Sequence, residues 1–164
     1  MKKLYRLIVL ILYITLLQGC SYEKPDYVHF TNKPSLNYYI GEINNCILKG
    51  EDYTFEIFYK DVYKTIKIDD SEKVLIENFI NSLTNDSYEK YTYTDEIEPF
   101  QIRITFNNDP EEKYIIKIYN YTTISVSPWD GIYDPDIISM KNVPENYNLY
   151  NFCTYVKERV YLNQ

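Results

Sequence analysis

The sequence predicts an α+β domain: an antiparallel sheet of about five or six strands with two helices packed on one face. Three observations predict it. Short runs alternate apolar and polar residues with the period of a half-buried strand. Tight polar turns join consecutive runs, which forces antiparallel pairing. Two segments change to apolar steps of three and four residues, one between the strand groups and one at the C-terminus.

In chain order, Tyr38 to Leu48 reads as one extended segment. Tyr53, Phe55, Ile57 and Tyr59 alternate with Thr54, Glu56 and Phe58 and predict a strand. Lys60-Asp61 can form a two-residue turn, and Val62 to Ile68 returns as a second strand rich in β-formers. Asp69 and Glu72 stand at capping-box spacing before a helix. Its apolar stripe is Leu75, Ile76, Phe79, Ile80 and Leu83. Asp69, Asp70 and Glu72 suit the positive end of the helix dipole and need no catalytic reading. Asn85 to Pro99 is polar and aperiodic, a long loop or a short edge strand.

Phe100, Ile102, Ile104 and Phe106 alternate with polar residues as a half-buried strand. Asn107-Asn108-Asp109-Pro110 is a turn, Lys113 to Tyr119 the partner strand and Thr122 to Ser127 a third. Ser127 to Asp136, with Pro128, Gly131 and Pro135, reads as a loop. Pro144 can open a final helix, whose stripe is Leu149, Phe152, Cys153, Val156 and Val160.

The 164 residues suit one domain, 45% hydrophobic and 25% charged, with a formal charge of -7. That hydrophobic content excludes a disordered chain. The acidic balance argues against nucleic acid as a partner, because phosphate binding needs Lys and Arg to release counterions. Twenty Tyr and no Ala give the usage of an AT-rich genome.

Residues 1–19 have the build of a secretory leader. Lys2, Lys3 and Arg6 precede the uncharged run Leu7 to Leu17. That run is short of the ~20 apolar residues of a membrane span. It ends at Leu17-Gln18-Gly19-Cys20, which resembles the lipobox of bacterial lipoproteins; Gln18 departs from the small or hydroxylated residue usual there. The resemblance covers only these first 20 residues. It implies cleavage between Gly19 and Cys20, a diacylglyceryl group on the Cys20 thiol, and a domain held outside the cytoplasm on the cell membrane. Two acyl chains meet the double signal that stable anchoring requires. Residues 20–36 then form a tether, with Pro25, Pro34 and the only histidine, His29, and residues 37–164 the α+β domain. The leader takes three of the 17 basic residues and none of the 24 acidic ones, so the mature chain carries -10. An anionic lipid surface repels such a domain.

Catalytic signatures are missing from the sequence. His29 lies in the tether, far from any partner that a nucleophilic mechanism needs. There is no CxxC, HxH, HExxH, GxxxxGK[ST] or strand-bound GxGxxG. No metal or cofactor is expected. The loop Asp130 to Asp136 has a calcium-site composition, but only Asp134 and Asp136 keep the spacing and Gly131 is misplaced, so its acids read as solvated turn acids. Asp95, Glu96 and Glu98 form a second acidic patch, read the same way. Cys46 and Cys153 are either bonded or two buried thiols, since spacing alone does not give proximity.

Tyr88, Tyr91 and Tyr93 cluster before the central strands, and Trp129, the only tryptophan, stands beside Asp130 and near Tyr133. Tyr suits half-buried sheets, which explains most of the twenty. Exposed aromatics are favoured at contacts, so Trp129, Asp130 and Tyr133 are the expected binding surface. The expected function is therefore non-enzymatic: a lipid-anchored domain that binds an envelope protein, a ligand or a wall polymer. The alternatives are a carboxylate-based envelope hydrolase and an inhibitory, immunity-type module.

Overall fold

The alternating run Tyr53–Tyr59 folds as strand β1, with every second side chain buried. The computed structural model describes residues 33–90, 96–108, 113–130 and 134–162, together with Arg6. Six further strands follow: β2 (Lys64–Lys67), β3 (Tyr88–Glu89), β4 (Phe100–Phe106), β5 (Lys113–Ile118), β6 (Thr123–Pro128) and β7 (Asp136–Ser139). They form one sheet in the order β2-β1-β4-β5-β6-β7-β3, and every pairing is antiparallel. The α+β class holds, with seven strands among the described residues, a little above the expected number. The helices are α1 (Tyr38–Leu48), α2 (Val74–Ser82) and α3 (Leu149–Leu162).

One sheet face is the core. Register places Phe55 beside Ile104, Ile57 beside Ile102 and Ile66, Ile102 beside Ile116, and Ile116 beside Val126. Except for partly buried Ile66, all of these are fully buried. At about 1.5–3 kcal/mol per buried large side chain, this row outweighs any single polar contact in the fold. The helices cover it. Leu149, Cys153 and Val156 of α3 are fully buried, Phe152 stacks on Phe55 at 5.9 Å, and Tyr150 meets Phe100 at 5.4 Å.

Several expectations need correction. Tyr38–Leu48 is helix, not extended chain. Its buried residues Tyr39, Ile40, Ile43 and Cys46 fall on one helical face. It closes on Gly50, whose φ of 77 suits the left-handed position of a Schellman cap. There the Gly50 N–H donates to the Ile47 carbonyl and the Glu51 N–H to that of Cys46. The β1–β2 connection is Lys60 to Tyr63, longer than a two-residue turn, because Tyr59 pairs with Lys64. Asp69 makes no side-chain cap, and α2 starts only at Val74, after a short 3-10 turn. Pro144 likewise precedes a 3-10 turn, Glu145–Tyr147. The residue that caps α3 is buried Asn148, whose Oδ1 accepts from the Tyr150 and Asn151 N–H groups. The expected loop 127–136 ends in strand: β7 begins at Asp136.

Asp136 is not a solvated turn acid. It is fully buried, and its Oδ2 accepts from the Ile40 N–H at 2.9 Å. This supplies the acceptor that Asn37, at the start of α1, does not. Its Oδ1 meets Lys33 Nζ at 2.6 Å. Burial raises the carboxyl above its ordinary pKa, against the lowering pull of Lys33 and the backbone N–H groups of Ile40 and Tyr39. Glu98 is also buried rather than solvated, held by the Gln101 amide at 2.8 Å and Lys60 at 3.4 Å.

Candidate functional site

The helices α1, α2 and α3 lie on the core side, and among the described residues no helix covers the opposite sheet face. Strand alternation points Phe58, Gln101, Lys117 and Ser125 to it in one row, and Lys67, Glu56, Arg103, Ile115 and Ser127 in the next. Thr105 and Lys113, themselves paired, lie on the same face. The Trp129 N–H donates to the Lys113 carbonyl at 2.9 Å, extending the β5–β6 ladder by one residue. This register turns the Trp129 ring onto the uncovered face, diagonally across β5 from Arg103.

There the Arg103 guanidinium lies 4.7 Å from the Phe58 ring centre and 4.9 Å from that of Trp129. A cation between two aromatic faces gains about 0.5–2 kcal/mol per ring, depending on desolvation. The row continues outward: Phe58 meets Tyr63 edge-on at 6.2 Å. Tyr63 is 82% exposed and Trp129 47%, so an aromatic and guanidinium strip crosses the face from the β1–β2 turn to the end of β6. Tyr63 holds a φ of 50, a left-handed backbone that side chains other than Gly seldom adopt.

Beside the strip is an open groove of about 210 Å³, lined by Glu56, Arg103, Ile104, Thr105, Lys113, Tyr114 and Trp129. Arg103 Nε is buried there without a hydrogen-bond partner. A buried N–H left unpaired costs about 1–3 kcal/mol, comparable with what the flanking rings return.

Of the residues singled out from sequence, Trp129 is in this site, and Asp130 follows it, exposed. Tyr133, Tyr91, Tyr93, His29, Gly19 and Cys20 lie outside the described residues. Cys46 and Cys153 are buried thiols on α1 and α3, not joined as a disulfide, and burial pushes the Cys153 thiol well up. Sequence reasoning missed Arg103, Phe58 and Tyr63. Arg103 and Phe58 are polar-phase positions in strands, and only register shows that they meet Trp129. Among the described residues, no group of three or more His, Cys, Asp or Glu could hold a metal ion. No helix among them is long and apolar enough to cross a membrane.

Comparison with known proteins agrees with this fold. Residues 33–153 match a family described as a domain of unknown function, DUF4883. The match begins at Lys33, the partner of Asp136, and ends at Cys153 on α3. A crystal structure of a protein from Clostridium perfringens, described as a putative lipoprotein, superposes with a TM-score of 0.69 at 26% identity. The superposition covers 77% of this chain and 99% of that one. No curated protein matches.

Proposed function

The chain belongs to the DUF4883 family, and from that premise we propose that it is a lipid-anchored lipoprotein of the cell envelope. Its domain is a non-enzymatic binding module that uses the uncovered sheet face. The observation that carries the binding role is the strip Tyr63, Phe58, Arg103 and Trp129, on a face that no helix of the described residues covers. Aromatic and Arg side chains are enriched where proteins make contacts, and Trp, Tyr and Arg dominate their energetics.

The anchor reading is supported by Leu17-Gln18-Gly19-Cys20 and by the description of the Clostridium perfringens neighbour as a lipoprotein. On this reading a signal peptidase cuts before Cys20, which carries the lipid and, through it, holds the domain to the membrane. Cys20→Ala then leaves an uncleaved precursor without lipid. A correctly trimmed, lipid-free product would refute the anchor.

The binding role is tested in living cells by crosslinking the anchored protein, recovering it under denaturing conditions and identifying attached proteins by mass spectrometry. The expected result is one near-stoichiometric envelope partner, whose capture falls in Trp129→Ala. Capture of every partner unchanged in that variant would remove this face as the contact surface.

A further inference from the structure

We propose that Arg103 is the receptor of an oxyanion site, and that its ligand is an organic carboxylate or phosphate carrying a ring beside the charged group. The proposal rests on the binding-module reading and names the chemistry of the ligand.

Three observations lead to it. The first is the donor left over. Arg103 presents a planar fork whose Nε–H is buried and unpaired, while two rings, not a carboxylate, hold its charge. Glu56, directly opposite in register, makes no ion pair with it within 4.0 Å. A guanidinium fork matches the paired oxygens of carboxylate and phosphate.

The second is local charge. The chain carries -7, yet the uncovered face presents the cations Lys67, Arg103, Lys113 and Lys117 against the carboxylates Glu56 and Glu89, while Glu98, held by Gln101 and Lys60, offsets Lys117 at the far end from the groove. Lys113 lines the same groove as Arg103. A local excess of cations around the groove on an acidic molecule favours an anion there.

The third is the lid. Trp129, half exposed, lies 4.9 Å from the guanidinium, and Phe58, on the strand flanking β4 away from Trp129, lies 4.7 Å from it. Phe58 lies within a strand paired on both sides, whereas Trp129 stands just past the end of β6, its backbone held to Lys113 and its side chain half exposed. Rotation of the Trp129 side chain uncovers Nε, so that an oxyanion takes Nε and one Nη together. The displaced indole then packs against the ligand's ring instead of against the Arg103 guanidinium.

Because Trp129 is the only tryptophan, its fluorescence reports on this groove alone. The full-length chain in detergent is titrated with benzoate and with phenyl phosphate, and with neutral benzamide as the control. The expected result is a saturable change in emission with at least one anion and none with benzamide at equal concentration. The stronger of the two anions tells carboxylate from phosphate. Arg103→Gln should weaken binding by about tenfold to a hundredfold, the range for losing charge-assisted bonds. Arg103→Lys keeps the charge without the fork and should fall between. Circular dichroism checks that each variant folds.

No saturable response to either anion, an equal response to benzamide, or wild-type affinity in both Arg103 variants would overturn the proposal. These failures differ from failure of the binding-module reading. A crosslinked partner captured by the wild type and lost in Trp129→Ala, beside no saturable response to either anion, leaves that reading standing and removes the oxyanion site.

Discussion

The Tyr59 hydroxyl donates to the Cys153 carbonyl at 2.9 Å, across 94 positions of sequence. It ties the end of β1 to the middle of α3 inside the core. The same ring meets Phe100 edge-on at 5.6 Å, so Tyr59 joins a strand, its neighbour and a helix. Tyr59→Phe removes the hydrogen bond and keeps the packing, and should cost about 1 kcal/mol. Tyr59→Ala also opens a cavity and should cost about 3–5 kcal/mol. Urea unfolding measures both. Equal destabilisation in the two variants would mean that the hydroxyl, not the ring, dominates.

Lys33 and Asp136 form the most enclosed ion pair among the described residues, with side chains 11% and 0% exposed. Removing one member leaves the other buried without its partner, which costs about 3–5 kcal/mol in such settings. Lys33→Met should therefore destabilise strongly, and Asp136→Ala more so, because it also uncaps α1 at Ile40. A change under about 1 kcal/mol in both would show that water replaces the pair at little cost.

Acid should act on two buried carboxyls in opposite directions. Burial pushes Glu98 up, but the Gln101 amide, the backbone, Lys60 and Lys117 outweigh it and hold it below its ordinary 4.5. Its stabilisation is present above that unfolded-state value and is lost as pH falls through the lower folded value. Asp136 sits above its ordinary 3.8. The folded chain takes up that proton first, so between the folded value and 3.8 a falling pH favours folding at this site. Unfolding midpoints from about pH 7 to 3 should show a shallower acid decline in Glu98→Gln and a steeper one in Asp136→Asn. The reverse order would mean that the shifts have the opposite signs.

Tyr63 pairs a strained backbone with an exposed ring. Left-handed geometry costs a non-Gly residue about 1–2 kcal/mol, partly offset in a Gly variant by the extra freedom of its unfolded chain. Tyr63→Gly should therefore be neutral or stabilising by up to about 1 kcal/mol. Its crosslinked partner should be captured less efficiently, because the outer end of the strip is gone. Destabilisation above about 1 kcal/mol would place the value of Tyr63 in its packing on Phe58 instead.

Strands β1, β4 and β5 are legible from sequence because each alternates over six or seven residues and buries one face. Helix α3 is legible for the same kind of reason, through Leu149, Cys153 and Val156. Helix α1 is harder. Its Tyr and Ile residues look like strand formers, and part of what caps it is Asp136, 96 positions beyond Ile40. No local window contains that carboxylate. Strand β7 spans only Asp136–Ser139 and follows Pro135, so it is set by pairing with β6 and β3 rather than by a strong pattern of its own. In the candidate site, Trp129 stands out as a lone indole in a polar segment. Arg103 does not, because an Arg in the polar phase of a strand is ordinary until register sets it between Phe58 and Trp129.

The placement of Lys33 also sets how the fold meets mechanical load. A pull applied to the chain from its N-terminal side reaches Lys33 before α1 and every strand of the sheet. Through the contact at Asp136 the tension passes to α1 and to β7, a short strand between β6 and β3 near one margin of the sheet. The long strands with Phe58 and Arg103 lie toward the other margin and take none of it directly. Under such a load peeling is expected to begin at β7, with the face that carries those two residues keeping its shape.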